Sequence, residues 1–341
     1  MVETSRDVCN KSNLSLMINY TTDSNRYRGT LMGYHGSPAP QDFRSGASVS
    51  DIAGLRPVDR ASLKQVSLTE IGAKYGIGFE IEKASFARNA MKALPLFAGY
   101  ERDSSCGYEA VTNILPLLPA SEWRNKVYSM FHQAERILDD QWSPSNQRCG
   151  GHITLSCDGI GGELLMEHIR PYCGILLSLY RRRLKNSYCS RNPNLRVSHE
   201  VESAYRGIAS KYNVAKVMSH GIEFRLPSRV RSVNDMKRRY ELMYVLIDCA
   251  RQSFEGNPPT WAKAMSRIKP IISLMYGDEA KEQKILSLAK DMQKFINTGK
   301  MEFSVLPFLD PHAEAVASFR TRRCNRLLAQ GERAYHRESR W

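Results

Sequence analysis

The chain has 341 residues, of which 42% are hydrophobic and 25% charged, with a formal net charge of +14. That length can bury a large core and admits one extended domain or two. No stretch approaches the roughly 20 consecutive apolar residues that crossing a bilayer demands, which argues against a membrane protein. The opening Met1-Val2-Glu3-Thr4-Ser5 has neither the basic region nor the apolar core of a secretory signal, so a cytoplasmic protein is expected. Eight cysteines, at 9, 106, 149, 157, 173, 189, 249 and 324, form no CxxC pair and lack the density of a disulfide scaffold, and they read as free thiols in a reducing compartment.

Residues 1–70 are rich in Ser, Thr, Gly, Asn and Arg without sustained periodicity, which predicts an N-terminal arm or lead-in. A strand follows over about 73–83, carrying Glu80 and Glu82, then an Ala/Leu-rich segment and a polar turn at Arg102-Asp103-Ser104-Ser105. Gly107 to Leu115 predicts a second strand. Ser121 is placed to cap a helix of about five turns, with Trp123, Val127, Phe131, Ala134 and Leu138 at helical spacing. Strand character returns at Gly151-His152-Ile153-Thr154-Leu155-Ser156, and one helix is expected over about 162–184, its basic end suited to the C-terminal dipole. Val214–Val217 and Gly221–Leu226 are short strand candidates. Asn234 is a candidate cap for a helix from Asp235 to about Arg251, with further helices over 261–275 and 279–297 and an arginine-rich tail after Pro311. The alternation predicts an α+β fold with helices covering one face of a sheet. It divides into a lead-in (1–70), a core (71–253) and a helical C-terminal extension with a basic tail (254–341).

Successive strand residues point to opposite faces, so Glu80 and Glu82 share a side opposed by Phe79 and Ile81. His152, Thr154 and Ser156 share a side opposed by Ile153 and Leu155, and Glu223 and Arg225 share one opposed by Ile222 and Phe224. A single alternating pair means little, because any half-solvated sheet shows one. Three strands that together supply glutamates, a histidine and an arginine predict a polar concave face. Like charges as close as Glu80 and Glu82 repel, and a divalent cation or bound base resolves the conflict.

The positive charge concentrates at Arg181-Arg182-Arg183-Leu184-Lys185, at Lys237-Arg238-Arg239 and at arginines 320, 322, 323, 326, 333, 337 and 340. Such a field attracts polyanions, ATP and acidic proteins alike. Nucleic-acid binding through the tail is one reading. No zinc finger, KH loop or aromatic RNA-binding signature accompanies the charge, and a solvated basic face explains it more simply.

Four segments carry a resemblance. Gly78-Phe79-Glu80-Ile81-Glu82, Arg102-Asp103-Ser104-Ser105 before Gly107-Tyr108-Glu109-Ala110-Val111, Cys149-Gly150-Gly151-His152-Ile153-Thr154-Leu155-Ser156, and His220-Gly221-Ile222-Glu223-Phe224-Arg225-Leu226 resemble, in order, the motifs of the amidoligase family. These carboxylate-amine ligases are related to glutamine synthetase and glutamate-cysteine ligase, and the resemblance spans roughly residues 75–250. It implies a twisted, mainly antiparallel sheet of glutamine-synthetase-like type whose open concave face holds ATP and Mg²⁺, with Mn²⁺ as an alternative. It also implies metal ligation by Glu80, Glu82, Glu109 and His152, nucleotide contacts from His152, Thr154, Glu223 and Arg225, and catalytic roles for Glu80, Glu82, Glu109, His152 and Arg225. The implied activity joins a carboxylate to an amine through an acyl phosphate, with a protein, peptide or small molecule as a substrate. Two positions depart from the pattern: Thr154 stands where family members often have a second histidine, and the Asp103 turn lacks the usual glycine.

Two other activities fit the same residues: a phosphotransferase of related fold, and a nucleic-acid-binding or assembly protein built on a degenerate ligase fold. His132 and His168 read as structural or solvated, His220 as a turn residue or substrate contact, and Lys216 as an exposed lysine. Cys106 and Cys149 lie near the site strands without a paired histidine that would make either a nucleophile. Trp123 and Trp142 read as packing residues. The sequence selects no oligomeric state.

Overall fold

A computed structural model describes residues 73–85, 96–101, 106–112, 114–139, 146, 148–196, 212–218 and 221–309. The lead-in before 73, the Asp103 turn, Trp142, His220 and the arginine-rich tail lie outside the described residues. Seven strands within this set are β1 (Tyr75–Lys83), β2 (Phe97–Glu101), β3 (Tyr108–Thr112), β4 (Leu115–Leu117), β5 (Ile153–Cys157), β6 (Ala215–Met218) and β7 (Gly221–Phe224). They form one sheet in the order β2-β3-β1-β5-β7-β6, with β4 also paired to β1, and all these pairings are antiparallel.

The expected strand over Gly107–Leu115 is two strands along one edge of β1. Glu80 faces Val111 in β3 and Ile77 faces Leu115 in β4. Where the ladder is interrupted, the Phe79 N–H donates to the Thr112 hydroxyl at 2.9 Å, so the backbone donor stays satisfied. Strand β2 was not expected from the sequence. Its pairing with β3 shifts register between Phe97 and Gly99, and such an irregularity erases the period-two signal on which a strand prediction depends.

The helices are α1 (Glu122–Phe131), α2 (Glu135–Leu138), α3 (Gly162–Ile169), α4 (Gly174–Leu179), α5 (Val233–Phe254), α6 (Trp261–Tyr276) and α7 (Glu279–Thr298). Ser121 caps α1 as predicted, its hydroxyl accepting the Arg124 N–H at 3.3 Å, but a 3₁₀ turn at His132–Ala134 divides the expected five-turn helix into α1 and α2. The single helix expected over 162–184 is also divided. Pro171, in the 3₁₀ turn Arg170–Tyr172, has no N–H to donate and its ring crowds a continuing helix, so α3 ends and α4 starts again at Gly174. Helix α5 begins before Asn234: Ser232 is the cap, accepting the Asp235 N–H at 3.1 Å, and the helix runs on to Phe254. Thr260 and Asp278 cap α6 and α7, which end at Gly277 and Gly299 with φ of 59° and 75°, a left-handed conformation that glycine adopts without steric cost.

The alternation sorts the sheet into two faces. Ile77, Phe79, Ile81, Ile153, Leu155, Ile222 and Phe224 are all buried on the apolar face, against which α1, α3 and α5 pack. Aromatic side chains tie this layer together: Phe79 meets Phe131 edge-on at 5.8 Å, Phe131 meets Tyr240 at 5.9 Å, and Tyr75 meets Tyr244 at 6.0 Å. Each such pair contributes about 0.5–1.5 kcal/mol beyond area burial. Helices α6 and α7 add an outer layer, α6 against α5 and α7 against α4, where Gln293 accepts the Gly174 N–H at 2.8 Å. Among the described residues no helix is long and apolar enough to cross a membrane.

Tyr240 fastens α5 to β4 by a buried hydroxyl that accepts the Leu118 N–H at 2.7 Å and donates to the Pro116 carbonyl at 2.8 Å. Tyr240→Phe keeps the ring and strands both backbone groups. Urea denaturation is expected to show a loss of about 1–3 kcal/mol.

A buried carboxylate and histidine cluster as the candidate metal centre

Register places the polar residues in rows across the second face. Glu82 stands opposite Glu109, and the Glu80 N–H donates to the His152 carbonyl at 3.0 Å, which sets Glu80 beside His152. In the next row Gly78, Thr154, Glu223 and Lys216 are successive cross-strand partners on β1, β5, β7 and β6. Glu80, Glu82, Glu109, His152, Thr154, Glu223 and Arg225 therefore occupy neighbouring positions on one face, whereas Asp103 and His220 lie outside the described residues.

His152 is the junction. Its Nδ1 lies 2.6 Å from Glu80 Oε2 and 3.8 Å from Glu223 Oε1, and its Nε2 lies 3.3 Å from Glu82 Oε1. Arg225 Nη1 donates to Glu223 Oε1. Glu82, Glu109, His152 and Glu223 are buried, and the side chain of Glu80 is only 14% exposed, so these charges sit in a medium where each needs a counter-charge. Burial and the Arg225 guanidinium oppose a charge on the His152 imidazole, the Glu80 and Glu82 carboxylates favour it, and the balance holds its pKa above the ordinary histidine value. For Arg225, burial is more than offset by Glu223, Glu80 and Glu109, which keep its guanidinium firmly charged.

The donor set falls into two triads that share the histidine: Glu80, His152 and Glu223, and Glu82, Glu109 and His152, each with its ligand atoms within 4.8 Å of one another. Carboxylate oxygens with one imidazole nitrogen suit hard divalent ions such as Mg²⁺ or Mn²⁺, and thiolate, which softer metals favour, is missing from both triads. Without a metal, a doubly protonated His152 can bridge Glu80 and Glu82. A metal must then displace a proton from the ring.

The backbone between Cys149 and Gly150 is gripped at both ends of one peptide unit. The Gly150 N–H donates to Glu82 Oε2 at 2.6 Å, and the Cys149 carbonyl accepts from Arg183 Nη1 at 3.0 Å. A Cβ on Gly150 would stand 2.7 Å from Glu82 Oε1, 3.0 Å from Arg183 Nη2 and 3.1 Å from His152 Nε2. Only a residue without a side chain lets these three groups converge. Sequence reasoning missed Arg183. It lies in a run of three arginines, and only the 3₁₀ turn Arg181–Lys185 determines that this one is buried.

Other candidates lie elsewhere or are chemically quiet. His132 pairs with Glu135 at the exposed end of α1, and His168 bonds the Ser253 hydroxyl at 2.9 Å. Burial pushes the Cys149 thiol up, away from the thiolate a nucleophile needs. Lys216 is half-buried in the row of Thr154 and Glu223, on the site face rather than on an unrelated surface. Trp123 stacks under the Lys126 ammonium at 4.2 Å, on α1. The described cysteines are all free thiols.

No family model matches the chain, and none of the curated proteins matches it. Among solved structures, the crystal structure of a novel glutamine synthase homolog is similar to it, with 12% identity, a TM-score of 0.26, and 82% of this chain and 76% of that chain covered. A likeness that distant says nothing about the chemistry, and the architecture stands on strand order and register alone.

Gly150→Ala forces Glu82, Arg183 or His152 away from this point and breaks the Glu82 hydrogen bond. The expected cost is about 1–3 kcal/mol in chemical denaturation. Gly256→Ala, at a φ of 85° with nothing within 4 Å of the added Cβ, separates backbone strain from this side-chain crowding.

Proposed function

We propose that this chain is an ATP- and divalent-metal-dependent carboxylate-amine ligase that forms an amide or isopeptide bond. The observation that supports the reading most is the pair of overlapping glutamate and histidine triads on the polar face of an antiparallel sheet, next to a half-buried arginine. Glu80, Glu82, Glu109 and His152 would hold Mg²⁺ or Mn²⁺, and Thr154, Glu223 and Arg225 would face the nucleotide. A carboxylate is a poor electrophile. In this reaction class ATP phosphorylates it, releasing ADP, and the amine then attacks the acyl carbon with loss of phosphate. The metal, when bound, neutralises phosphate charge.

The chain's own residues prepare the site in three ways. The Gly150 N–H fixes Glu82 so that its second oxygen stays beside His152. Glu223 orients Arg225 by accepting from Nη1, and each charged hydrogen bond the guanidinium then gives an oxyanion is worth about 1.5–3 kcal/mol. Thr154, where family members often have histidine, keeps a hydroxyl on the same face, and its Oγ1 is buried with no partner among the described residues. A buried unmet hydroxyl is a cost that a ligand's polar atom removes.

Calorimetric titration of ATP, with and without Mg²⁺, into wild type and a Glu80→Gln/Glu82→Gln variant tests the reading. Wild type is expected to bind in a magnesium-dependent manner, and the variant, folded by circular dichroism, to bind at least about tenfold more weakly, a loss of about 1.4 kcal/mol. A folded wild type that binds no ATP across millimolar ATP and Mg²⁺ would overturn the ligase. Product analysis separates the enzyme classes: a condensed amide with ADP and phosphate supports the ligase, and a phosphorylated product without condensation assigns a phosphotransferase instead.

A further inference from the structure

The Arg181-Arg182-Arg183 run reads in the sequence as part of a solvated basic surface, yet Arg183 is buried where it meets the carboxylate cluster. Its Nη1 is committed to the Cys149 carbonyl, and its Nη2 shares the space beside Gly150 with Glu82 Oε1 and His152 Nε2. Its Nε is buried and has no hydrogen-bond partner among the described residues. Arg225 repeats the pattern, with Nη1 on Glu223 and a buried Nε that is likewise unmet. The Nε–H and the neighbouring Nη2–H of a guanidinium point in parallel and form the fork that grips a carboxylate or phosphate. Anchoring through Nη1 orients that fork without consuming its Nε donor. The two arginines flank the His152 ring: Arg183 Nη2 and His152 Nε2 both border the space beside Gly150, and Arg225 holds Glu223 Oε1, which lies 3.8 Å from His152 Nδ1.

A purely structural counter-charge explains the Nη1 contacts but not two unmet Nε donors in one site, because buried polar groups rarely go unpaired. Both lack the same thing, an oxygen acceptor. We infer that Arg183 and Arg225 form a two-arginine clamp for an oxyanion, a phosphoryl or carboxylate group bound beside the glutamates and His152. The clamp rests on the ligase reading only for the identity of its ligand, and it deepens that reading by adding Arg183, a substrate-binding residue from outside the sheet.

The test uses the full chain and two variants. Arg183→Lys keeps a positive charge without the fork, and Arg183→Gln keeps an amide donor for the Cys149 carbonyl without the charge. Inorganic tripolyphosphate and glutarate are titrated separately by calorimetry without metal, and Mn²⁺ is titrated separately by electron paramagnetic resonance. Both variants are expected to bind tripolyphosphate about tenfold or more weakly than wild type, with Mn²⁺ affinity within about twofold. A loss confined to glutarate supports the clamp and makes a carboxylate its ligand. The clamp is overturned if folded variants bind both probes as wild type does, or if wild type binds neither. It is equally overturned if Mn²⁺ and oxyanion affinities fall in parallel, which would make Arg183 a support for Glu82 alone. If both variants fail to fold, ¹⁵N-arginine spectra of wild type decide: tripolyphosphate or glutarate should shift slowly exchanging Nε–H resonances, and unshifted resonances would end the proposal. These titrations involve neither ATP nor turnover, so wild type can show the clamp and still fail as a ligase, or the reverse.

Discussion

Four carboxylates brought within reach of a single imidazole in a largely buried site form the constraint on which the rest of this structure depends. Glu80, Glu82, Glu109 and Glu223 repel one another, and in a low-dielectric setting that repulsion opposes folding unless cations or donors offset it. The structure answers from every side. His152 lies between the carboxylates just before β5, Arg225 pairs with Glu223 just beyond β7, and the Gly150 N–H reaches Glu82. Arg183 then holds the peptide that presents that N–H. Well-packed apolar residues stabilise a core at least as well as buried ion pairs do, so stability alone gives little reason for such a cluster.

The apolar face makes this arrangement tolerable. Because strand side chains alternate, β1 uses Phe79 and Ile81 to anchor the same backbone that displays Glu80 and Glu82. The aromatic contacts from Phe79 through Phe131 to Tyr240 join β1 to α1 and α5, and the Tyr240 hydroxyl joins α5 to β4. The cluster is thus mounted on a fully buried layer of the core. Rigid support of this kind keeps ligating atoms close to a productive geometry.

Much of this was legible in the sequence because it rests on periodicity. The strands at Glu80, His152 and Glu223, the division into an apolar and a polar face, and α6 and α7 all follow from spacing and capping residues that act locally. Elsewhere local signals competed. Pro171 outweighed the apolar periodicity that suggested one helix over 162–184, Ser232 outcompeted Asn234 as a cap, and the register shift at Phe97–Gly99 hid β2. Arg183 was illegible for a different reason. Its neighbours Arg181 and Arg182 are chemically identical to it, and only the path of the chain after α4 decides which guanidinium is buried.

The same distinction bears on Thr154. A histidine there would have added a further imidazole to a row that already runs Gly78, Thr154, Glu223, Lys216. Threonine instead leaves a small hydroxyl facing the space above Gly78, where β1 offers no side chain at all. Lys216, at the far end of the row, is its one cationic side chain. The Thr154 Oγ1 is buried with no hydrogen-bond partner among the described residues, which leaves it available to a ligand's polar atom. A hydroxyl donor meets an oxyanion at any pH, whereas an imidazole does so as a cation only when protonated. The threonine therefore fits a site whose positive charge comes from arginines, which do not titrate in the physiological range.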